Sequence, residues 1–206
     1  MRSKIGAACM LLGFILMCAA GILLWRNHTE DIAAEASVEA VMPEILEKIP
    51  PVPPEETRIE QLTPVELLPP SAFEMTRVEI GGYDYIGYLS IPALELELPI
   101  MADWDYGRLQ IAPCRYHGSV NGRDLVLMAH NYSSHFGRIS ELQPGDVVLF
   151  TDMDGFTTHY LVEGRDVLDP KAVEEMTAGE FDLTLFTCTY GGKSRVTVYC
   201  TRILEK

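Results

Sequence analysis

Apolar and polar positions divide the chain into three stretches of unlike pattern. Residues 5–25 (IGAACMLLGFILMCAAGILLW) form 21 positions without a charge, and a helix of roughly 20 apolar residues crosses a bilayer core. Residues 29–42 (TEDIAAEASVEAVM) mix apolar and acidic positions, and one short helix is expected there. Eight of the thirteen prolines follow within residues 43–70. A run such as IPPVPPEETRIEQLTPVELLPP cannot enter a sheet interior and reads as an extended, semi-rigid spacer. Beyond Glu79 the pattern shortens to strands and turns. YDYIGYLS (83–90) is rich in β-formers and ends at Pro92. LELELPI (94–100) alternates apolar and acidic residues with the period of a half-buried strand. Further strands are expected at 124–129, 147–151, 156–168, 182–189 and 195–203, separated by Asn121-Gly122, Gln143-Pro144-Gly145-Asp146, Asp154-Gly155 and Gly191-Gly192. DPKAVEEM (169–176), opened by Asp169 as cap and Pro170 at the first helical position, predicts a helix of one or two turns. About eight short strands with minor helices imply an all-β barrel or sandwich.

Charge sharpens this division. The chain carries a net charge of −14, distributed as +3 on residues 1–26, −9 on 27–79 and −8 on 80–206. No basic stripe exists to displace counterions, so a nucleic-acid partner is excluded. Arg2 and Lys4 before the apolar run outnumber Arg26 after it, which favours a cytoplasmic N-terminus. The uncharged run exceeds the roughly 7–15 residues of a signal-peptide core, so an uncleaved anchor is expected over a cleaved leader. Three regions result: a cytoplasmic tip and transmembrane anchor at 1–26, an acidic Pro-rich stalk at 27–79, and a folded β domain at 80–206.

Candidate chemistry concentrates at two strand ends. Cys188 closes an apolar strand next to a Gly-rich turn, where a side chain is both positioned and accessible. A thiolate nucleophile needs a cation or a histidine beside it. His130 ends LVLMAHN (125–131) in the same way and is suited to carrying protons. Arg195 opens the next strand and comes beside Cys188 in a hairpin, where a guanidinium suits a developing oxyanion. Taken singly, each residue type more often fills an inert packing role than a catalytic one. His135 is a second candidate for the proton shuttle, whereas His117 and His159 read as surface or packing residues. No CxxC or HExxH spacing supports a metal site. Asp152 and Asp154 read as turn residues, with a calcium ion as the alternative use of the same carboxylates. Cys200 alternates with Arg195 and is expected in the core. Cys114 is a candidate to form a disulfide with it.

These segments together carry a resemblance. GYLSIPAL (87–94) with LPI (98–100), LVLMAHN (125–131) with FGR (136–138), QPGD (143–146), TLFTCT (184–189) and Arg195 occur in the order and spacing of the sortase family. The likeness covers about residues 81–203. Sortases are membrane-anchored cysteine transpeptidases on the outer face of Gram-positive cells. They cut an LPxTG-like signal and join the new carboxyl end to an amine. The resemblance implies a closed eight-stranded β-barrel with short helices, preceded by one transmembrane helix and a Pro-rich stalk. It implies Cys188 as the nucleophile that forms a thioacyl enzyme, His130 as proton shuttle and Arg195 as oxyanion stabiliser. Ala129, Asn131, Thr187 and Thr189, flanking them, are expected to shape the substrate pocket, with the 168–182 loop as its floor. No cofactor is required. The implied partners are surface proteins bearing a sorting signal and an amine acceptor, either a peptidoglycan precursor or the lysine of a pilin. A catalytically silent barrel serving as a surface-binding module is the alternative outside enzymology. Ala129 stands where the family commonly has Gly, and Asn131 follows a class B pattern. Trp104 lies after the second strand, out of place for a class C lid, and the subclass stays open.

Overall fold

The computed structural model describes residues 2–51 and 74–203. Most of the Pro-rich run, together with residue 1 and residues 204–206, lies outside the described residues. The elements are α1 (Arg2–Lys48), β1 (Val78–Ile80), β2 (Tyr83–Ile91), β3 (Leu96–Met101), β4 (Cys114–His117), β5 (Leu125–Ala129), β6 (Val147–Asp152), β7 (Thr157–Leu168), α2 (Val173–Thr177), β8 (Leu183–Cys188) and β9 (Arg195–Arg202).

Eight strands close on themselves in the order β2-β3-β4-β5-β8-β9-β7-β6, and β6 returns to β2. The short β1 pairs with the first residues of β2 outside this ring. Neighbours run antiparallel except β3–β4 and β5–β8. Full closure leaves the barrel without an open edge. It also decides between the barrel and sandwich that alternation alone permitted. β1 and β4 escape the sequence pattern because each is only 3 or 4 residues long, too short for a period to register.

Closure depends on one glycine. β2 shifts register between Tyr85 and Gly87, and Gly87 then pairs with Asp152 of β6. Its φ is +144°, and a Cβ there would stand 2.0 Å from the Thr151 carbonyl oxygen. No side chain fits. Gly87→Ala is expected to cost about 3 kcal/mol or more through backbone displacement and strain. Urea denaturation measures this, and an unchanged midpoint would contradict it.

Period-two alternation sorts the strand residues. Leu125, Leu127 and Ala129 of β5, Leu183 and Leu185 of β8, and Val198 and Cys200 of β9 point inward. They pack with Phe136, Phe150 and Tyr160. Cys200 is in this interior as expected. Cys114 belongs to a different cluster outside the barrel wall, and both thiols are free. The candidate Cys114–Cys200 disulfide therefore does not form, because the wall separates them. Burial pushes each thiol up to about 12, which leaves both unreactive.

α1 is a single helix through residues 29–42, where a separate short helix was expected, and it continues past Pro43. Ala34, Val38, Met42 and Ile45 form a buried stripe at helical spacing. Ile45 packs with Tyr85, Met101 and Leu109, so the helix rests on the outer side of β1–β3. Both flanks of the Pro-rich run meet the β6–β7 hairpin. Pro50 lies against Gly155, and the Thr76 hydroxyl donates to Asp154 at 2.7 Å. The barrel's separation from the apolar segment is thus set by α1, which is already docked before the prolines begin.

The helix expected at 169–176 begins later, at Val173. Asp169 accepts the Lys171 amide (2.9 Å) and the Asp169 carbonyl accepts the Ala172 amide (3.0 Å), so this aspartate closes a turn instead of capping a helix.

Candidate active site

The site forms at one end of three adjacent strands. β5 and β8 are parallel, with Ala129 opposite Thr187. β8 and β9 are antiparallel, with Cys188 opposite Arg195. Ala129 and Thr187 are buried, so by alternation the next residue on each strand, His130 and Cys188, faces the outside of the barrel. His130 thereby shares one outer face with Cys188 and Arg195, more than fifty residues further along the chain, in the order His130, Cys188, Arg195. Two polar devices hold the strand ends together. The buried Thr187 hydroxyl donates to the Ala129 carbonyl at 2.8 Å, tying β8 to β5. Thr189 closes the β8–β9 turn: its amide donates to the Ser194 carbonyl (3.0 Å), and its side-chain oxygen accepts the Ser194 amide (3.1 Å). Thr187 and Ala129 are buried, so they set the geometry of the strand ends from within. Asn131 is half-buried beside His130.

Cys188 is a half-buried free thiol. Arg195 donates through one guanidinium nitrogen to the Gly192 and Ser194 carbonyls, both at 3.2 Å, which holds its side chain over the β8–β9 turn. Burial lowers the pKa of His130, with the Glu30 carboxylate opposing the shift. The His130 ring lies 4.9 Å from that of Tyr132. His135, the alternative shuttle, is fully buried, and neither ring nitrogen makes a hydrogen bond of standard geometry. It belongs to the packing beneath the loop.

Burial and the neighbouring His130 push the pKa of His135 down to about 4, against a backbone acceptor at Ile111. Between about pH 6.5 and about pH 4 the unfolded chain binds a proton that folded His135 refuses, so stability falls as pH falls through that window. Asp152, raised to about 6 by burial, works in the opposite direction between about pH 6 and pH 3.8. His135→Leu is expected to remove the first contribution, so that its Tm declines less toward pH 4 than that of the parent. Parallel Tm–pH curves would contradict this.

An aromatic surface lies along the outer face of β8 before the cysteine. Phe186 lies on the outer face of β8, two residues before Cys188, and meets Tyr116 edge-to-face at 5.3 Å; Tyr116 meets Trp104 at 5.5 Å. α2 covers the far side through Met176, which packs on Val126 and Phe186. The strands are therefore the base of this surface, and the 168–182 loop lies over it. Asp152 accepts the Asp154 and Phe156 amides (3.0 and 2.9 Å), as a turn residue does. Among the described residues, no cluster of three or more metal-binding side chains forms.

One contribution was absent from the sequence reading. Asp31 of α1 accepts hydrogen bonds from the Ser133 hydroxyl, the Ser134 hydroxyl (2.8 Å) and the Ser134 amide (3.2 Å). Glu30 accepts one from Tyr132. These contacts bridge about a hundred residues, and their only sequence trace is the stripe that runs from Asp31 through Ala34, Val38, Met42 and Ile45.

Comparison with known proteins agrees with this architecture. A family model for the sortase domain matches residues 89–203. A sortase C1 structure from Streptococcus suis is 27% identical with a TM-score of 0.52, covering 59% of this chain and 74% of that one. Two others share the fold. Sortase C from Streptococcus pneumoniae is 23% identical, TM-score 0.60, covering 81% of this chain and 97% of that one. Sortase C from Clostridium perfringens is 21% identical, TM-score 0.58, covering 81% and 99%. Among curated proteins none matches the chain. A family match across more than half the chain, on a closed eight-stranded barrel that aligns a cysteine, a histidine and an arginine at one end, leaves a single conclusion: this chain belongs to the sortase family.

Proposed function

We propose that the protein is a membrane-anchored transpeptidase that cleaves an LPxTG-like sorting signal and transfers the carboxyl end of the protein to a cell-wall amine. The observation that carries this is the register: Cys188 opposite Arg195, with His130 one residue beyond the Ala129–Thr187 pair. In this mechanism the Cys188 thiolate attacks the carbonyl after the signal's threonine. Arg195 turns from its own turn carbonyls to the developing oxyanion. His130 as imidazolium protonates the departing amine, and the thioacyl enzyme forms. The neutral imidazole then takes a proton from the incoming amine, which attacks the thioester and expels the Cys188 thiolate, restoring the starting thiolate and imidazolium. The apolar part of the signal lies along Phe186, Tyr116 and Trp104 under α2.

We assign residues 1–26 to a cytoplasmic tip and anchor, 27–79 to the connection and 80–206 to the catalytic domain. Large apolar side chains from Met10 to Trp25 are exposed in the structure, which suits a lipid surround. Asp31 is six residues past Trp25, about 9 Å along the helix. The catalytic end of the barrel accordingly lies close to the outer membrane surface.

A second reading is a pilin-polymerising enzyme with a lysine acceptor. The likeness to sortase C1 supports it, and the pneumococcal structure is described in terms of pilin substrate specificity. Incubating the full chain in detergent with a panel of sorting-signal peptides, with and without small amine or pilin-lysine acceptors, tests both. A mass adduct on Cys188 and amine-dependent product support transpeptidation, and the preferred acceptor separates the two. No adduct with any peptide would leave the silent binding module.

A further inference from the structure

The helix that carries the apolar segment reaches the loop that carries His130. α1 is fixed to the barrel by Ala34, Val38, Met42 and Ile45. One turn before this stripe, the half-buried Asp31 receives the Ser133 and Ser134 hydroxyls and the Ser134 amide. The Ser134 hydroxyl also lies 3.3 Å from the Asp31 carbonyl. Burial would raise the Asp31 carboxyl, but the serine hydrogen bonds outweigh it and hold the carboxyl below its ordinary value. The loop so gripped is short and closed. The Phe136 amide donates to the His130 carbonyl (3.2 Å), while the His135 and Gly137 amides both donate to the Tyr132 carbonyl (3.0 and 2.8 Å). A loop bonded to itself at both ends moves as a unit, so a grip at Ser133 and Ser134 bears on the backbone of His130. Gly137 fits there only as glycine, because a Cβ would meet the Asn131 and Tyr132 carbonyl oxygens at 2.6 Å.

We propose that Asp31 is a positioning residue: the anchor helix, through its clamp on Ser133 and Ser134, holds the histidine loop in the catalytic alignment with Cys188. The barrel holds that loop from beneath through the buried Phe136 and His135, and α1 grips it from the side at Ser133 and Ser134. The catalytic consequence rests on the transpeptidase reading above, whereas the clamp itself does not.

The test uses the full chain in detergent micelles with three readouts: transpeptidation kinetics, alkylation of Cys188 by iodoacetamide, and hydrogen exchange at the Ser134 amide. Asp31→Ala is expected to speed Ser134 exchange and to lower kcat roughly tenfold with KM little changed, as displacement of a catalytic group does. Asp31→Asn keeps an acceptor for the Ser134 amide and is expected to restore most of kcat. The Ser133→Ala/Ser134→Ala variant breaks the clamp from the other side. It should show the same loss, with no further loss when Asp31→Ala is added. Alkylation needs no sorting signal, and its rate should change several-fold with the clamp because His130 shifts against the sulfur. The proposal is overturned if Asp31→Ala leaves Ser134 exchange unchanged, if it leaves both kcat and alkylation unchanged, or if the two sets of losses add. If the parent protein turns over no peptide, the transpeptidase reading fails alone, and an alkylation rate unaffected by Asp31→Ala still overturns the clamp.

Discussion

Cys188→Ala is expected to abolish peptide turnover, with a loss of at least about 10⁴-fold, while the barrel stays folded. The loss is that large because, in the proposed mechanism, the residue supplies the covalent intermediate, and His130 and Arg195 have nothing to act on without it. No other thiol substitutes: Cys114 and Cys200 are buried with their pKa values pushed up to about 12. The fold should be indifferent. Cys188 is only half-buried at a strand end, and such substitutions usually stay within about 0.5 kcal/mol. The measurement pairs initial rates with a thermal melt. Retained turnover in a folded Cys188→Ala protein would exclude the thioacyl mechanism. Lost turnover with a melt lowered by many degrees would instead make Cys188 structural.

His130→Gln is expected to lower amide turnover by about 10²–10⁴-fold, the usual span for removing a positioned proton-transfer group. Glutamine keeps a polar, hydrogen-bonding side chain of similar reach but cannot give up a proton to a departing amine. The defect should therefore depend on the leaving group. An activated ester replacing the scissile amide departs without a proton, and its acylation of Cys188 should fall far less. Equal losses on ester and amide would count against His130 as the acid and leave it a packing residue. His135 offers no bypass, since its ring is fully buried and burial drives its pKa down to about 4.

Neighbouring residues explain why parts of this site were legible in the sequence and others were not. TLFTC reads as a strand ending in a cysteine because it is a short run of β-forming residues, and Gly191-Gly192 marks the turn that returns Arg195 to its side. LVLMAHN reads the same way. The contact between the two is invisible locally, because β5 and β8 are parallel and joined by more than fifty residues, including β6, β7 and α2. The resemblance bridged that gap. Thr187 and Thr189 were read as pocket residues because they flank the cysteine, yet their hydroxyls fasten β8 to β5 and close the turn. A threonine's sequence position does not say whether its hydroxyl faces a ligand or a backbone carbonyl.

The sequence by itself determined the apolar helix, most of the strands, and a cysteine, a histidine and an arginine at strand ends, because periodicity and turn chemistry are local. Only the tertiary structure decided that the sheet closes, which depends on a register shift and a bare Gly87 at the seam. It also decided that Cys114 and Cys200 lie on different sides of the barrel wall. Above all it decided that α1 is docked on the barrel with Asp31 at the histidine loop, so that the helix carrying the apolar segment also touches the loop that carries His130. Pairings across a hundred residues form when buried area and hydrogen bonds outweigh the entropy of closing the loop between them. No local pattern records that balance.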